Sequence, residues 1–277
     1  MKAHAIRSLL RYAWDADTIY DVHAPKAFRY LGEVIEDERH FHAFDRIARV
    51  RDRFAASTEV LNLTDHGAGS HTGSELRRKL SDVASTSGTP DRFGRYLFKT
   101  VDYLRATRVL ELGTNVGLGS CYLASALPLD GRLISLDADP QVLAKADWAI
   151  RQMVPAPNFE LRQGKFVDTL AGALEDLGQV DLAFIDGHHA EQPTKDYYTA
   201  IAKRCHANSI IILDDIHWSE GMEAAWAWVQ QQSNVTLTLD LYRWGVVFFD
   251  PQVRVRQHLT VCPWRWKPWH MGFFKSR

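Results

Sequence analysis

The amino-acid sequence predicts an α/β fold: a doubly wound, seven-stranded, mostly parallel sheet preceded by a helical N-terminal extension. Two observations carry this prediction. From Ser81 onward, short apolar runs alternate with helical segments, which is typical of parallel strands joined by helical crossovers. The last two apolar runs are separated only by Tyr242-Arg-Trp244, which is too short for a helix, so this final pair must be antiparallel.

Each predicted strand is an apolar run bounded by turn-forming residues. In chain order the seven strands are Arg108 to Gly113, Leu133 to Asp137, Phe159 to Arg162, Asp181 to Asp186, Ser209 to Asp214, Val235 to Leu241 and Gly245 to Asp250.

The chain divides by composition into three predicted parts. Residues 1–80 form a helical extension with a lid loop, residues 81–252 form the α/β domain, and residues 253–277 form a basic, tryptophan-rich tail. The loop between residues 62 and 74 contains three glycines and the polar side chains Asp65, His66 and His71. A flexible linker and a lid that contacts a substrate both fit this composition.

The bulk composition favours a soluble globular protein. The 277 residues carry a formal net charge of −1, which gives no overall field to attract nucleic acid or an anionic membrane. The three cysteines are scattered, which argues against a disulfide framework and fits a reducing cytoplasm. We expect neither a signal peptide nor a transmembrane segment, because no apolar stretch is long enough for either.

A glycine-rich turn after the first predicted strand indicates a cofactor site. Gly113 and Gly117 lack a Cβ, so the backbone can adopt positive φ and approach a ligand closely, while N–H groups of the following helix face it. No Gly-Lys-Ser/Thr follows, which excludes a P-loop, and the third small residue of a dinucleotide-binding fingerprint is missing. The pattern that remains is Glu-x-Gly-x-x-x-Gly.

This pattern resembles the first motif of class I S-adenosylmethionine-dependent methyltransferases, whose second strand ends in an acidic residue, here Asp137. The resemblance covers roughly residues 81–250 and implies a seven-stranded Rossmann-like sheet. It implies that Glu111 and Gly113 lie beside the methionine moiety, that Asp137 holds the ribose, and that residues 164–168 line the adenine. Phe166 would offer its ring to the adenine, although core packing explains an aromatic residue there equally well. The cofactor-binding residues expected on this basis are Glu111, Gly113, Thr114, Gly117, Asp137, Ala138, Phe166 and Asp186.

Three aspartates follow the fourth and fifth predicted strands. Asp186, Asp214 and Asp215, called the acidic cluster below, should meet because neighbouring strands are about 4.8 Å apart. Carboxylates held this close either raise a pKa or recruit a hard divalent cation such as Mg²⁺. Catechol-type O-methyltransferases, which the chain resembles, have Asp at the first strand end and Asp-Asn at the second, where this chain has Asp-Asp. The open alternative is a metal-independent enzyme in which these acids contact cofactor or substrate.

His188, His189 and His217 flank the acidic cluster in the sequence. Imidazole titrates near neutral pH, so one of them could act as general base, and the catalytic residues expected are His189, His217 and Asp186. Two histidines with a carboxylate could instead form a facial triad for iron.

The expected reaction is transfer of the S-adenosylmethionine methyl group to an oxygen of a small-molecule acceptor, with a divalent metal as an open possibility. A non-catalytic cofactor-binding or scaffold protein is the alternative of another class. The whole tail has six Lys or Arg residues, and it has three tryptophans, which lie between Cys262 and His270. This pattern suits nucleic acid or a membrane interface. The rest of the chain carries no matching positive charge, which favours a tail that packs over the domain or is buried in a homodimer.

Overall fold

The computed structural model describes residues 2–63, 77–153 and 158–270. Asp65, His66 and His71 of the predicted lid lie outside the described residues, as does the tail from residue 271 onward. The described residues form two compact units, one made of residues 1–38 with 184–277 and the other of residues 39–183. The helical extension predicted for residues 1–80 is therefore shared between the two units.

The elements alternate along the chain as the sequence predicts. The described helices are α1 (Lys2–Asp15), α2 (Pro25–Tyr30), α3 (His42–Ala55), α4 (Leu80–Thr86), α5 (Asp91–Leu104), α6 (Leu118–Ala126), α7 (Pro140–Arg151), α8 (Phe166–Leu177), α9 (Glu191–Ala202) and α10 (Glu220–Gln230). The described strands are β1 (Val60–Asn62), β2 (Arg77–Lys79), β3 (Arg108–Leu112), β4 (Arg132–Asp137), β5 (Phe159–Gln163), β6 (Val180–Ile185), β7 (Cys205–Leu213), β8 (Leu237–Asp240), β9 (Gly245–Phe248) and β10 (Gln257–Thr260).

The mostly parallel sheet contains eight strands, β3 to β10, rather than the predicted seven. The seven predicted strands are all present with shifts of a few residues at their ends. The additional strand is β10, which pairs in parallel with β8. Its residues are half-buried or exposed and lie inside the segment predicted to be a tail, and a short strand without a fully buried face carries little sequence signal.

In the unit of residues 39–183, three parallel strands present their carboxyl ends to the same edge. β3 pairs with β4, and β4 pairs with β5. The helix α7 begins directly after β4 because Asp139 caps it: its carboxylate accepts hydrogen bonds from the backbone N–H groups of Gln141 and Val142, and Pro140 occupies the first helical position. β1 and β2 form a separate antiparallel pair.

In the unit of residues 1–38 and 184–277, β7 pairs antiparallel with β9, and β9 pairs antiparallel with β8. The predicted antiparallel final pair is therefore confirmed. All four residues of β8 and all four of β9 are buried, including the polar residues Thr238 and Asp240 of β8.

The described part of the C-terminal segment packs against the N-terminal residues of its own unit. Residues Asp17 and Val261 form a bridge, and the Lys267 ammonium donates hydrogen bonds to the carbonyl oxygens of Trp14 (3.1 Å) and Ala16 (2.6 Å). Lys267 is 8% exposed, so its charge is held by the carbonyls at the end of α1. Across the described chain, no helix is long and apolar enough to cross a lipid bilayer.

Candidate functional site

The predicted glycine turn follows β3 and has an unusual backbone. Gly113, Asn115 and Gly117 have φ values of 99°, 50° and 80°. The N–H groups of Gly113 and Thr114 both donate to the carbonyl of Leu136 at the end of β4, at 2.9 and 3.2 Å. These bonds hold the turn against the neighbouring strand end. The left-handed backbone at three of five positions explains why glycine and asparagine occur there.

Asp137 ends β4 as predicted, and its carboxylate organises the turn. One oxygen accepts the N–H of Asn115 at 2.8 Å and the other accepts the N–H of Asp139 at 3.0 Å. Burial raises the pKa of Asp137, and the backbone donors, including Ala138, oppose that increase. A carboxylate has about four acceptor positions, so these three backbone donors leave capacity for a ribose hydroxyl group.

Glu111 lies beneath the turn, where it is 1% exposed. Its carboxyl group accepts hydrogen bonds from the hydroxyls of Ser120 and Ser135, the latter at 2.6 Å, and the Thr114 hydroxyl lies 2.6 Å from that of Ser135. Burial raises the pKa of Glu111 to about 7, against the opposing effect of the two serines. The side chains of Glu111 and Thr114 thus belong to a buried polar network that supports the turn.

Two other predicted cofactor residues have packing roles in the structure. A Cβ on Gly117 would lie 2.6 Å from Cα of Ala146 on α7, so this glycine permits helix packing as well as the turn. Phe166 begins α8 and is 8% exposed, which fits the core-packing alternative. Contact between Phe166 and an adenine ring stays a prediction.

The acidic cluster is assembled in the other unit. Asp214 follows β7 and is 2% exposed, while the side chains of Asp186 and Asp215 are 16% and 24% exposed. His189 Nε2 lies 3.6 Å from Asp186 Oδ1 and 4.0 Å from Asp215 Oδ2. Burial, followed by the charges of Asp214 and Asp215, raises the pKa of Asp186 well above its usual value, and burial raises that of Asp215 to about 6.

A residue that the sequence interpretation missed, Arg243, pairs with this cluster. Its Nε lies 2.7 Å from Asp214 Oδ1 and its Nη2 lies 2.6 Å from Asp214 Oδ2, an arrangement that engages both carboxylate oxygens. Nε is also 3.6 Å from Asp215 Oδ1. Arg243 lies in the four-residue turn, 241–244, between β8 and β9, and nothing in the local sequence indicates its partner.

Backbone strain is concentrated around the acidic cluster. Four non-glycine residues there have positive φ: His188 (64°), His189 (30°), Asp215 (52°) and Tyr242 (68°). Each such residue costs about 1 to 3 kcal/mol, so strain of this kind persists where the surrounding structure imposes a particular geometry, often at functional sites.

The acidic cluster does not fit a divalent cation as it stands. Both oxygens of Asp214 accept hydrogen bonds from Arg243, and Oδ1 also accepts the Asp215 N–H at 2.9 Å. Over the described ranges, no group of three or more His, Cys, Asp and Glu side chains is arranged to hold a metal ion. The predicted convergence of the three aspartates is found, but the positive charge among them is supplied by an arginine.

Both ring nitrogens of His217 are engaged by carboxylates, so this histidine is not a free base. Its Nδ1 lies 2.9 Å from Glu223 Oε1 and its Nε2 lies 2.8 Å from Asp240 Oδ2. Burial lowers the pKa of His217, but the hydrogen bonds and charges of Asp240 and Glu223 outweigh it and raise the pKa overall. His188 instead has its Nδ1 2.8 Å from the Tyr197 hydroxyl. Among the three histidines, the structure brings His189 closest to Asp186 and Asp215.

Part of the chain matches known proteins by sequence. Residues 110–216 match a family model described as a methyltransferase domain. The chain is 31% identical over 124 residues to the catechol O-methyltransferase of Niastella koreensis, a match that covers 44% of this chain and 55% of that relative. Over this region the chain is similar to S-adenosylmethionine-dependent methyltransferases.

Solved methyltransferase structures share the fold. The O-methyltransferase TomG of Streptomyces achromogenes, solved with S-adenosylmethionine, has a TM-score of 0.55 at 18% identity and covers 76% of this chain and 91% of its own. A Podospora anserina methyltransferase bound to S-adenosylhomocysteine has a TM-score of 0.56 at 15% identity, covering 83% and 97%. Identities this low establish the fold alone.

The chain spans only part of the length of the relatives that it matches by sequence. The match to the Niastella koreensis enzyme spans 55% of that protein, and the match to a putative O-methyltransferase of Mycobacterium leprae, at 26% identity, spans 50% of this chain and 63% of the relative.

Asn115 is a second residue that the sequence interpretation missed. Its backbone N–H binds Asp137, and its side-chain amide donates to the carbonyl of Ser87 at 2.8 Å. A signal was available, because asparagine tolerates the left-handed region better than most other non-glycine residues and it lies between Gly113 and Gly117.

Proposed function

We propose that the chain transfers the methyl group of S-adenosylmethionine to an oxygen atom of a small molecule. The observation that carries the proposal is the glycine turn, whose left-handed backbone is held by the Asp137 carboxylate at the end of β4. The turn fits the cofactor because its carboxylate retains acceptor capacity for a hydroxyl group. Similarity to a catechol O-methyltransferase supports oxygen as the atom that is methylated.

The residues of the turn would hold the cofactor in two ways. Asp137 would accept a hydrogen bond from a ribose hydroxyl, while the backbone at Gly113 leaves room for close approach. Glu111 would support the turn indirectly. Its buried carboxyl group accepts hydrogen bonds from the hydroxyls of Ser120 and Ser135 and thereby holds the turn in place. When bound, S-adenosylmethionine supplies an electrophilic methyl group whose S–C bond breaks as the new O–C bond forms.

His189 is the proposed general base for the acceptor hydroxyl. Its imidazole is within 4.0 Å of both Asp186 and Asp215, so the positive charge that it gains with the proton would face carboxyl groups. Asp186 would act with it, as the carboxyl group nearest to the ring. His217 is assigned no proton transfer, since both of its nitrogens face carboxylates. No step is assigned to a metal, because Arg243 engages Asp214.

Calorimetry with S-adenosylhomocysteine tests the cofactor site. Replacing Asp137 with alanine removes charge-assisted hydrogen bonds worth about 1.5 to 3 kcal/mol, so affinity should fall roughly tenfold to a hundredfold. Asp147→Ala is the matched control, because Asp147 is on α7 of the same unit and pairs with Arg151 at the surface. Equal affinity of wild type and Asp137→Ala would remove the ribose assignment, and binding of NADH in place of S-adenosylhomocysteine would remove the cofactor class.

Release of S-adenosylhomocysteine with a panel of phenolic and catecholic acceptors tests the reaction. We expect His189→Ala to lower kcat by about a hundredfold or more while cofactor affinity is retained. His188→Ala serves as the control because its ring contacts Tyr197. A chain that binds the cofactor but methylates no acceptor, with or without His189, would instead be a cofactor-binding protein without catalysis.

A further inference from the structure

The positively charged group of the acidic cluster belongs to the chain itself. We propose that Arg243 is the resident cation of the cluster and occupies the electrostatic role that the sequence interpretation gave to a divalent metal. This inference concerns which cation the cluster holds. It does not depend on the proposed methyl transfer.

The geometry of the pair is of the strongest kind that arginine forms. Two parallel N–H donors face the two oxygens of Asp214, at 2.7 and 2.6 Å. This fork arrangement fixes direction as well as charge, and it uses the atoms that a metal would need as ligands. A divalent ion requires carboxylate oxygens at about 2.0 to 2.6 Å, and it would meet the guanidinium charge at that approach.

The fold holds Arg243 in place from both sides of the turn. The Arg243 carbonyl accepts the N–H of Ile216, two residues beyond Asp214, at 3.2 Å, and the Arg243 N–H donates to Leu241. Tyr242 before it is left-handed, and Trp244 after it is fully buried. The Arg243 side chain is 28% exposed and the Asp214 side chain only 1%. The pair is therefore built into the hairpin and is unlike a mobile surface ion pair.

The charge of the cluster is consistent with one resident cation. Three ionised aspartates beside one arginine would leave two negative charges in a largely buried space. Asp186 is hydrogen-bonded to Asp214, and its raised pKa, caused mainly by burial and the neighbouring carboxylates, favours a bound proton there. Arg243 then faces two carboxylates, Asp214 and Asp215, and His189 is the remaining titratable group beside them.

The proposal predicts that removing the guanidinium creates a metal site. Wild type titrated with Mg²⁺ or Mn²⁺ by calorimetry should show no saturable site up to about 1 mM, the weak end of protein cation sites. Arg243→Met keeps the length of the side chain and removes its charge. This variant should bind one Mn²⁺ per chain with a Kd roughly tenfold or more below that limit of about 1 mM. Adding Asp214→Asn to this variant should abolish the new site. Arg254→Met, at an exposed arginine of the same unit, should behave as wild type.

Thermal unfolding gives a second readout on the same proteins. Excess Mg²⁺ should raise the Tm of Arg243→Met and leave the Tm of wild type and of Arg254→Met unchanged. A folded Arg243→Met variant that gains no metal binding would overturn the proposal. So would stoichiometric Mn²⁺ binding by wild type that Asp214→Asn removes.

If Arg243→Met does not fold, the metal titrations of wild type and of Asp214→Asn test the proposal. A metal site in wild type refutes the proposal, and the absence of such a site supports it. Calorimetry with S-adenosylhomocysteine on the same samples separates the two proposals. Failure of wild type to bind S-adenosylhomocysteine would count against the proposed function. The metal titration tests only the proposal that Arg243 is the resident cation.

Discussion

Replacing Glu111 with glutamine should change how stability depends on pH. Glu111 is 1% exposed, and burial raises its pKa from 4.5 to about 7. Because the folded-state pKa is raised, the folded state binds the proton more tightly than the unfolded state does. The favourable contribution is therefore complete below about pH 4.5 and is lost as pH rises to about 7.

The size of the effect follows from the same pKa values. The interval from 4.5 to about 7 corresponds to about 3 kcal/mol at about 1.4 kcal/mol for each pH unit. Glutamine keeps the shape of the side chain and cannot ionise. We therefore expect Glu111→Gln to gain about 2 to 3 kcal/mol relative to wild type between about pH 5 and pH 8.

Urea unfolding of both proteins at the two pH values, followed by tryptophan fluorescence, measures this difference. Glu175→Gln is the control, because Glu175 is exposed on α8 in the same unit. Its unfolding curves should change with pH in parallel with those of wild type. A stability difference between Glu111→Gln and wild type that stayed constant with pH would contradict the raised pKa of Glu111, and so would a variant that became relatively less stable at the higher pH.

Three further predictions concern packing, His217 and the tail. Gly117→Ala should lower the free energy of unfolding by about 1 to 3 kcal/mol or more, because its Cβ would lie 2.6 Å from Ala146; Gly178→Ala, also at positive φ but with no atom within 4 Å, should cost less in the same denaturant assay. The substitution His217→Gln should lower the Tm more at about pH 6 than at about pH 9. A raised histidine pKa stabilises the fold below about pH 6.5, and that contribution is lost as pH rises through the raised pKa. An equal loss at both pH values would show that His217 acts only through packing. Truncation after Val261 removes the Lys267 bonds to Trp14 and Ala16 and should lower Tm and solubility, as light scattering would detect. Salt-sensitive RNA or vesicle binding that disappears on truncation would contradict this structural role for the tail.

Local pattern was sufficient for most of the fold. Six of the seven predicted strands contain a run of at least four buried residues, and burial on both faces favours such apolar runs; β5 is half-buried. The final antiparallel pair followed from chain geometry, because three residues cannot span a crossover. The strand β10 was missed since it is short and only half buried, so its sequence shows little alternation.

The cofactor turn shows how far sequence reaches into a site. The sequence by itself determined a strand, a glycine turn and an acid at the next strand end, because backbone conformations that favour glycine leave a direct mark on residue choice. It did not determine that Glu111 and Thr114 face a buried network, or that Gly117 faces Ala146. A side chain's direction depends on what packs against it.

The acidic cluster shows what only the tertiary structure decided. The sequence placed Asp186, Asp214 and Asp215 at strand ends, and their convergence followed from the order of the strands. The partner that changes their chemistry, Arg243, is 29 residues beyond Asp214. His217 likewise meets Asp240 across 23 residues of chain. Charge pairs between distant segments leave no periodic signal in the sequence, because electrostatic energy depends on distance in space and on burial, and folding alone sets both.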